Sequence, residues 1–145
     1  WGWYALSKDS ELWSGANAPA AYGTSKLKKV AVVMTDGEFN TDYCRGLRSD
    51  RAGVFGYCNN ASFPDAANGG TADQALALCA NMKAKGKDIE IYTIGFGITA
   101  GSAQETLLKT CASGTDKYFS ADDDASLDAA FAEIGRQLGE LRISR

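Results

Sequence analysis

The chain reads as an α/β domain built on a doubly wound, mostly parallel sheet. Three observations predict this class. Apolar, β-branched runs alternate with helical patterns, in the order strand-helix three times over. The two longer runs are continuous rather than alternating in polarity, as in strands covered on both faces. The 145 residues, 45% of them hydrophobic and 23% charged, suit one folded domain with a single core, spanning 1–145.

The elements follow in order. The opening segment, Trp1 to Gly23, is rich in tryptophan and tyrosine and reads as a short helix followed by an aromatic loop. Its tryptophans need something to bury against. Val30 to Thr35 (VAVVMT) is the first strand. The stretch from Asp36 to Gly70 is too long for a casual connection, since structureless loops beyond about 15 residues are uncommon. Thr71 and Gln74 then have the spacing of a capping box. Behind them Ala72, Ala75, Leu76, Cys79 and Met82 recur at helix spacing, and Gly86 suits a helix stop. Ile89 to Phe96 (IEIYTIGF) is the second strand. Ser102 and Glu105 repeat the capping-box pattern ahead of Leu107, Leu108 and Cys111. Lys117 to Ser120 (KYFS) is a third, shorter strand. Asp124 can cap the last helix, whose stripe of Leu127, Ala130, Phe131, Ile134, Leu138 and Leu141 reads as core. Alternation of this kind implies parallel strands joined by right-handed crossovers.

Three strands make a thin sheet of this type. If Val30–Thr35 were an edge, it would be a flat apolar one and an aggregation hazard. Further N-terminal strands, a second copy of the chain, or the segment Trp1 to Gly23 should cover it. If the chain is part of a larger sheet, it should pair with itself through this edge or expose an apolar face.

Composition excludes several function classes. The net charge of −3 argues against a nucleic-acid or anionic-membrane surface. No stretch approaches the ~20 apolar residues of a membrane helix. The chain opens at Trp1 with no signal peptide, and reads as a piece of a longer protein. There is no histidine, which removes Ser-His-Asp and Cys-His catalysis within these residues. The four cysteines, Cys44, Cys58, Cys79 and Cys111, lack the paired spacing of a zinc knuckle. An even count at wide spacing suggests two disulfides in an oxidising compartment; the blander alternative is four reduced, partly buried thiols. Of the three pairings, Cys44–Cys58 is favoured. It would close a loop of about 15 residues and constrain the unfolded chain by about 3 kcal/mol. Cys79–Cys111 would then join two helices.

The candidate chemistry lies at the end of the first strand. In open α/β sheets ligands bind beyond the carboxyl ends of the strands, near the point where strand order reverses. Asp36 is placed there, and Thr35, Asp36, Glu38, Asn40, Thr41 and Asp42 offer hard oxygens of the kind that hold Mg²⁺. The blander alternative is that Asp36 and Gly37 turn the chain and cap nearby amides. Asp122-Asp123-Asp124 reads as a turn with a helix cap rather than a cation trap. Gly95-Phe96-Gly97 lacks the third glycine of a dinucleotide fingerprint and reads as a place of close backbone approach.

The run "VAVVMTDGEFNT" resembles the central strand and third metal-site loop of von Willebrand factor A (VWA) domains, and "IEIYTIGFG" is similar to their next strand. The ordered series "WGWYALS", "MTDGEFNT", "CANMKAKGKDIEIYTIGFG", "LLKTCAS", "KYFSADD" and "LDAAFAEIGRQLGELRIS" resembles the C-terminal part of TadG-type proteins of bacterial Tad/Flp pilus assembly. The resemblance implies a doubly wound, Rossmann-like, mostly parallel sheet, here the C-terminal portion of a VWA-like domain. It also implies a metal-ion-dependent adhesion site, holding Mg²⁺ or Mn²⁺ in the full-length domain. Of that site only the aspartate of the third loop maps, onto Asp36. No Asp-x-Ser-x-Ser loop occurs, and the family's matching threonine would lie upstream of Trp1, so tight metal binding is not expected here. The family tends to have proline after Leu-Ser, where this chain has Lys8. The function so implied is a non-enzymatic module binding other pilus-assembly or envelope proteins. Its parent would be anchored in the inner membrane, with this domain in the periplasm. Alternatives are an extracellular VWA-type adhesin and, with little to support it, a metal-dependent hydrolase using Asp36.

Overall fold

The computed structural model describes residues 2–37 and 70–143, with side chains to residue 140. Trp1 and the side chain of Leu141 lie outside the described residues. Among the described residues, four α-helices and three strands follow one another as α1 (Gly2–Leu6), β1 (Val30–Thr35), α2 (Thr71–Lys83), β2 (Glu90–Phe96), α3 (Ala103–Cys111), β3 (Tyr118–Ala121) and α4 (Asp124–Ile143). The sheet is open and wholly parallel, in the order β1-β2-β3. Val30 lies opposite Glu90 and Thr35 opposite Gly95, while Thr93 lies opposite Tyr118. None of the described helices is long and apolar enough to cross a membrane.

β2 is the central strand because its sequence can be buried on both sides. Ile91 packs with Ile89, Cys79, Met82 and Cys111 on the face of α2 and α3, and Trp3, Leu6 and Tyr22 of the opening segment close that cluster. Tyr92 and Ile94 pack on the other face with Ala121 of β3 and with Ala130 and Ile134 of α4. Each large side chain buried in this way contributes about 1.5–3 kcal/mol. Helices thus flank both faces. Gly95 keeps the sheet close to α3: a methyl group there would meet Ile98 Cγ1 at 3.0 Å and Leu108 Cδ1 at 3.1 Å. The close approach expected at this glycine is therefore to side chains.

Several expectations need correction. β1 is not covered on both faces: Val32 is 43% and Met34 53% exposed. They share a face with Tyr92 and Ile94, and α4, which covers that face, packs chiefly on β3 and β2, with Val30 alone of β1 joining that cluster. Phe131 is 48% exposed instead of core, because it lies on the flank of the stripe formed by Leu127, Ile134 and Leu138. Trp13 is 44% exposed, so the opening segment buries only part of its aromatic surface. Trp3 is held by a 3.0 Å hydrogen bond from its indole N–H to the Tyr22 hydroxyl.

The caps shift by one residue. α2 starts with Gly70 as its cap, and Asp73, not Gln74, accepts from the Gly70 N–H at 3.3 Å. α4 is capped by Asp123, not Asp124. The Asp123 carboxylate accepts the Ser126 N–H at 2.8 Å, and the Ser126 hydroxyl accepts the N–H groups of Asp122 and Asp123. At α3 the expected hydroxyl cap is present, Ser102 Oγ accepting from Glu105 N–H at 3.1 Å. The Glu105 carboxylate reaches back one residue further, to the Gly101 N–H at 2.8 Å.

Candidate functional site

β1 delivers Thr35, Asp36 and Gly37 to the carboxyl end of the sheet, as parallel pairing with β2 requires. The Thr35 hydroxyl turns the chain there. It accepts the Gly37 N–H at 3.3 Å and donates to the Gly37 carbonyl at 3.2 Å, a local side-chain turn. That turn leaves Asp36 exposed. Glu38, Asn40, Thr41 and Asp42, expected to supply further oxygens, lie outside the described residues, as do Cys44 and Cys58.

Mg²⁺ takes six oxygens in near-octahedral positions. Among the described residues no group of three or more His, Cys, Asp or Glu side chains could hold a metal ion. One exposed carboxylate beside a hydroxyl already bonded to its own turn does not form such a centre. The described strands also run in sequence order without a reversal, so the switch point expected beside Asp36 is not among them.

The acidic run Asp122-Asp123-Asp124 is a turn and a cap. Ser126 holds the Asp123 carboxyl below its ordinary value through hydrogen bonds from its hydroxyl and its N–H. At the opposite, amino end of the sheet lies a polar cluster that sequence reasoning missed. Glu90 is only 7% exposed and takes Lys117 Nζ at 2.8 Å on one oxygen and Lys28 on the other. Lys117 also stands over the Tyr92 ring, 4.9 Å from its centre. Burial alone would raise the Glu90 carboxyl, but hydrogen bonds from Lys117 and Lys28 outweigh it and hold it lowered. One sequence signal was available: an acid inside an apolar run, with lysines before both neighbouring strands.

The other cysteine expectation is met. Cys79 and Cys111 form a disulfide that joins α2 to α3, with Cα atoms 5.2 Å apart. Lys83 reinforces this junction by donating to the carbonyls of Thr110 at 2.8 Å and Ala112 at 3.0 Å, near the C-terminus of α3.

These features define a class: a small α/β domain with an open, parallel three-stranded sheet, helices on both faces and a disulfide between two of them. Comparison with protein families, with curated proteins and with solved structures finds no match to the chain.

Proposed function

We propose that this chain is the C-terminal portion of a VWA-like domain from a TadG-type protein of Tad/Flp pilus assembly. It acts as a non-enzymatic module that binds other pilus-assembly or envelope proteins at the periplasmic face of the cell envelope. The observation that carries this reading is the placement of Asp36, exposed at the carboxyl end of a parallel strand behind a threonine whose hydroxyl shapes the turn. Asp36 contributes one oxygen ligand to a cation site whose other ligands come from residues upstream of this chain. A partner's carboxylate completes the coordination, so the outcome is adhesion rather than turnover. The buried Cys79–Cys111 disulfide suits an oxidising compartment such as the periplasm.

The test is a calorimetric titration of Mg²⁺ and Mn²⁺ into this chain and into a version extended upstream. Binding should be weak or undetectable in the first and tight in the second, where Asp36→Ala abolishes it. Equal, tight binding by both would contradict the reading.

A further inference from the structure

The net charge of −3 is not evenly spread. Because the strands are parallel, the residues leading into them gather at the amino end of the sheet. Lys26, Lys28 and Lys29 precede β1 and Lys87 precedes β2, and all of them line a cavity of about 540 Å³ walled by residues 23–29 and 87–88. Small-molecule sites have volumes of roughly 300–1,000 Å³. The acid in this wall, Asp88, gives its carboxylate to the Gly86 N–H at 3.1 Å.

Ammonium charge at this cavity exceeds the carboxylate charge that answers it. Lys29 is buried, yet its ammonium donates to the Leu6 carbonyl and lies 5.1 Å from the centre of the Tyr22 ring. Lys87 stands over the Trp3 ring at 4.8 Å. Neither meets a carboxylate among the described residues. Lys28 shares Glu90 with Lys117, so two cations rest on one anion. The backbone is strained at the same place. Lys26 (φ 61°) and Asp88 (φ 48°), the non-glycine residues of positive φ among the described residues, both line the cavity. The Leu27 N–H closes a turn on the Thr24 carbonyl at 3.2 Å, which puts Lys26 at the third turn position, where glycine is usual. Strain kept beside a cavity is a mark of function rather than of folding.

We infer that this cavity binds a phosphate group, free or carried on a small molecule or lipid headgroup. Lysine meets phosphate as a compact point charge, and a tetrahedral phosphate admits ammonium groups from several sides, which a planar carboxylate does less well. Ser25 adds a hydroxyl to the wall. The site lies at the far end of the sheet from Asp36 and needs no cation, so it goes beyond the function proposed above and stands or fails separately.

The test is a titration of inorganic phosphate into the 145-residue chain at low salt with chelator present, followed by amide NMR. Shifts should saturate in the millimolar range, concentrate in residues 23–29 and 87–88, and fade as salt rises. Lys26→Gly and Lys87→Ala should each weaken binding by about tenfold. Lys85→Ala, at an exposed lysine outside the wall, should leave it unchanged. Lys26→Gly also relieves the positive φ, so its thermal midpoint should hold or rise while phosphate binding falls, which a merely structural Lys26 would not give. Co-sedimentation with phosphatidylcholine vesicles containing phosphatidylglycerol separates the sources. Retention that inorganic phosphate reverses assigns a lipid headgroup, and phosphate binding without retention assigns a soluble compound. A response that never saturates overturns the proposal. So does an affinity indifferent to Lys26→Gly and Lys87→Ala, an equal loss in Lys85→Ala, an equal response to acetate, or loss of binding in a version extended upstream.

Discussion

Glu90 occupies a position where a hydrophobic residue would pack, and it survives there because two lysines reach it. Replacing it by glutamine keeps the shape and removes the charge, leaving Lys117 and Lys28 without their common partner. The expected loss is about 1–3 kcal/mol at neutral pH, because Lys28 is half-exposed and recovers some hydration. The sign of its pH dependence follows from its lowered folded pKa. Its stabilisation is complete above the ordinary value of 4.5 and drains as pH falls below that, through the folded value. Urea midpoints of the unaltered chain and Glu90→Gln should therefore converge below about pH 4.5 and run parallel above it. Parallel profiles throughout would mean that the carboxylate adds nothing. At this scale the sequence was least legible. Asp36 could be placed at a strand end from its neighbours, but Glu90 was hidden inside "IEIYTIGF", since its lysines are distant in the chain.

Elements were more legible than residues, because each is specified by local pattern. Every expected strand and helix is present, with ends displaced by a residue or so. α4 shows why the ends drift. Three consecutive aspartates are equally plausible caps in sequence, and only the backbone path decides which one faces the Ser126 N–H. Asp123→Ala should cost about 1 kcal/mol of stability, and Asp124→Ala only a few tenths, since Asp124 acts through the helix dipole alone. Thermal melts of the two variants check this, and equal losses would reverse the assignment. β1 teaches the complementary lesson. Its continuous apolar run correctly marked a parallel strand, but continuity alone could not say whether both faces are covered within one copy.

For the whole molecule, the disulfide between α2 and α3 is the strongest single constraint on the described fold. It closes a sequence separation of 32 residues, which limits the unfolded chain by roughly 3–4 kcal/mol. Both sulfur-bearing residues are buried, so reductant reaches them only when the helices part. The paired variant Cys79→Ala/Cys111→Ala should lower the denaturant midpoint by an amount within that range, while the unaltered chain resists mild reductant until partly unfolded. Rapid reduction under native conditions would show that this face opens locally. Sequence reasoning favoured this pairing only indirectly, through the short loop that Cys44–Cys58 would close, because the spacing of cysteines does not say which helices lie side by side.

What the sequence determined by itself was the class of fold: the order of strands and helices, their parallel direction, and the exit of β1 at Thr35-Asp36-Gly37. These depend on hydrophobic period and turn chemistry, which are local. Only the tertiary structure decided that α4 covers β2 and β3 but leaves Val32 and Met34 of β1 in solvent, that Glu90 is shared by Lys28 and Lys117, and that Cys79 meets Cys111. Those outcomes depend on which surfaces meet across the sheet, and a chain's local pattern carries no distance between segments far apart in sequence.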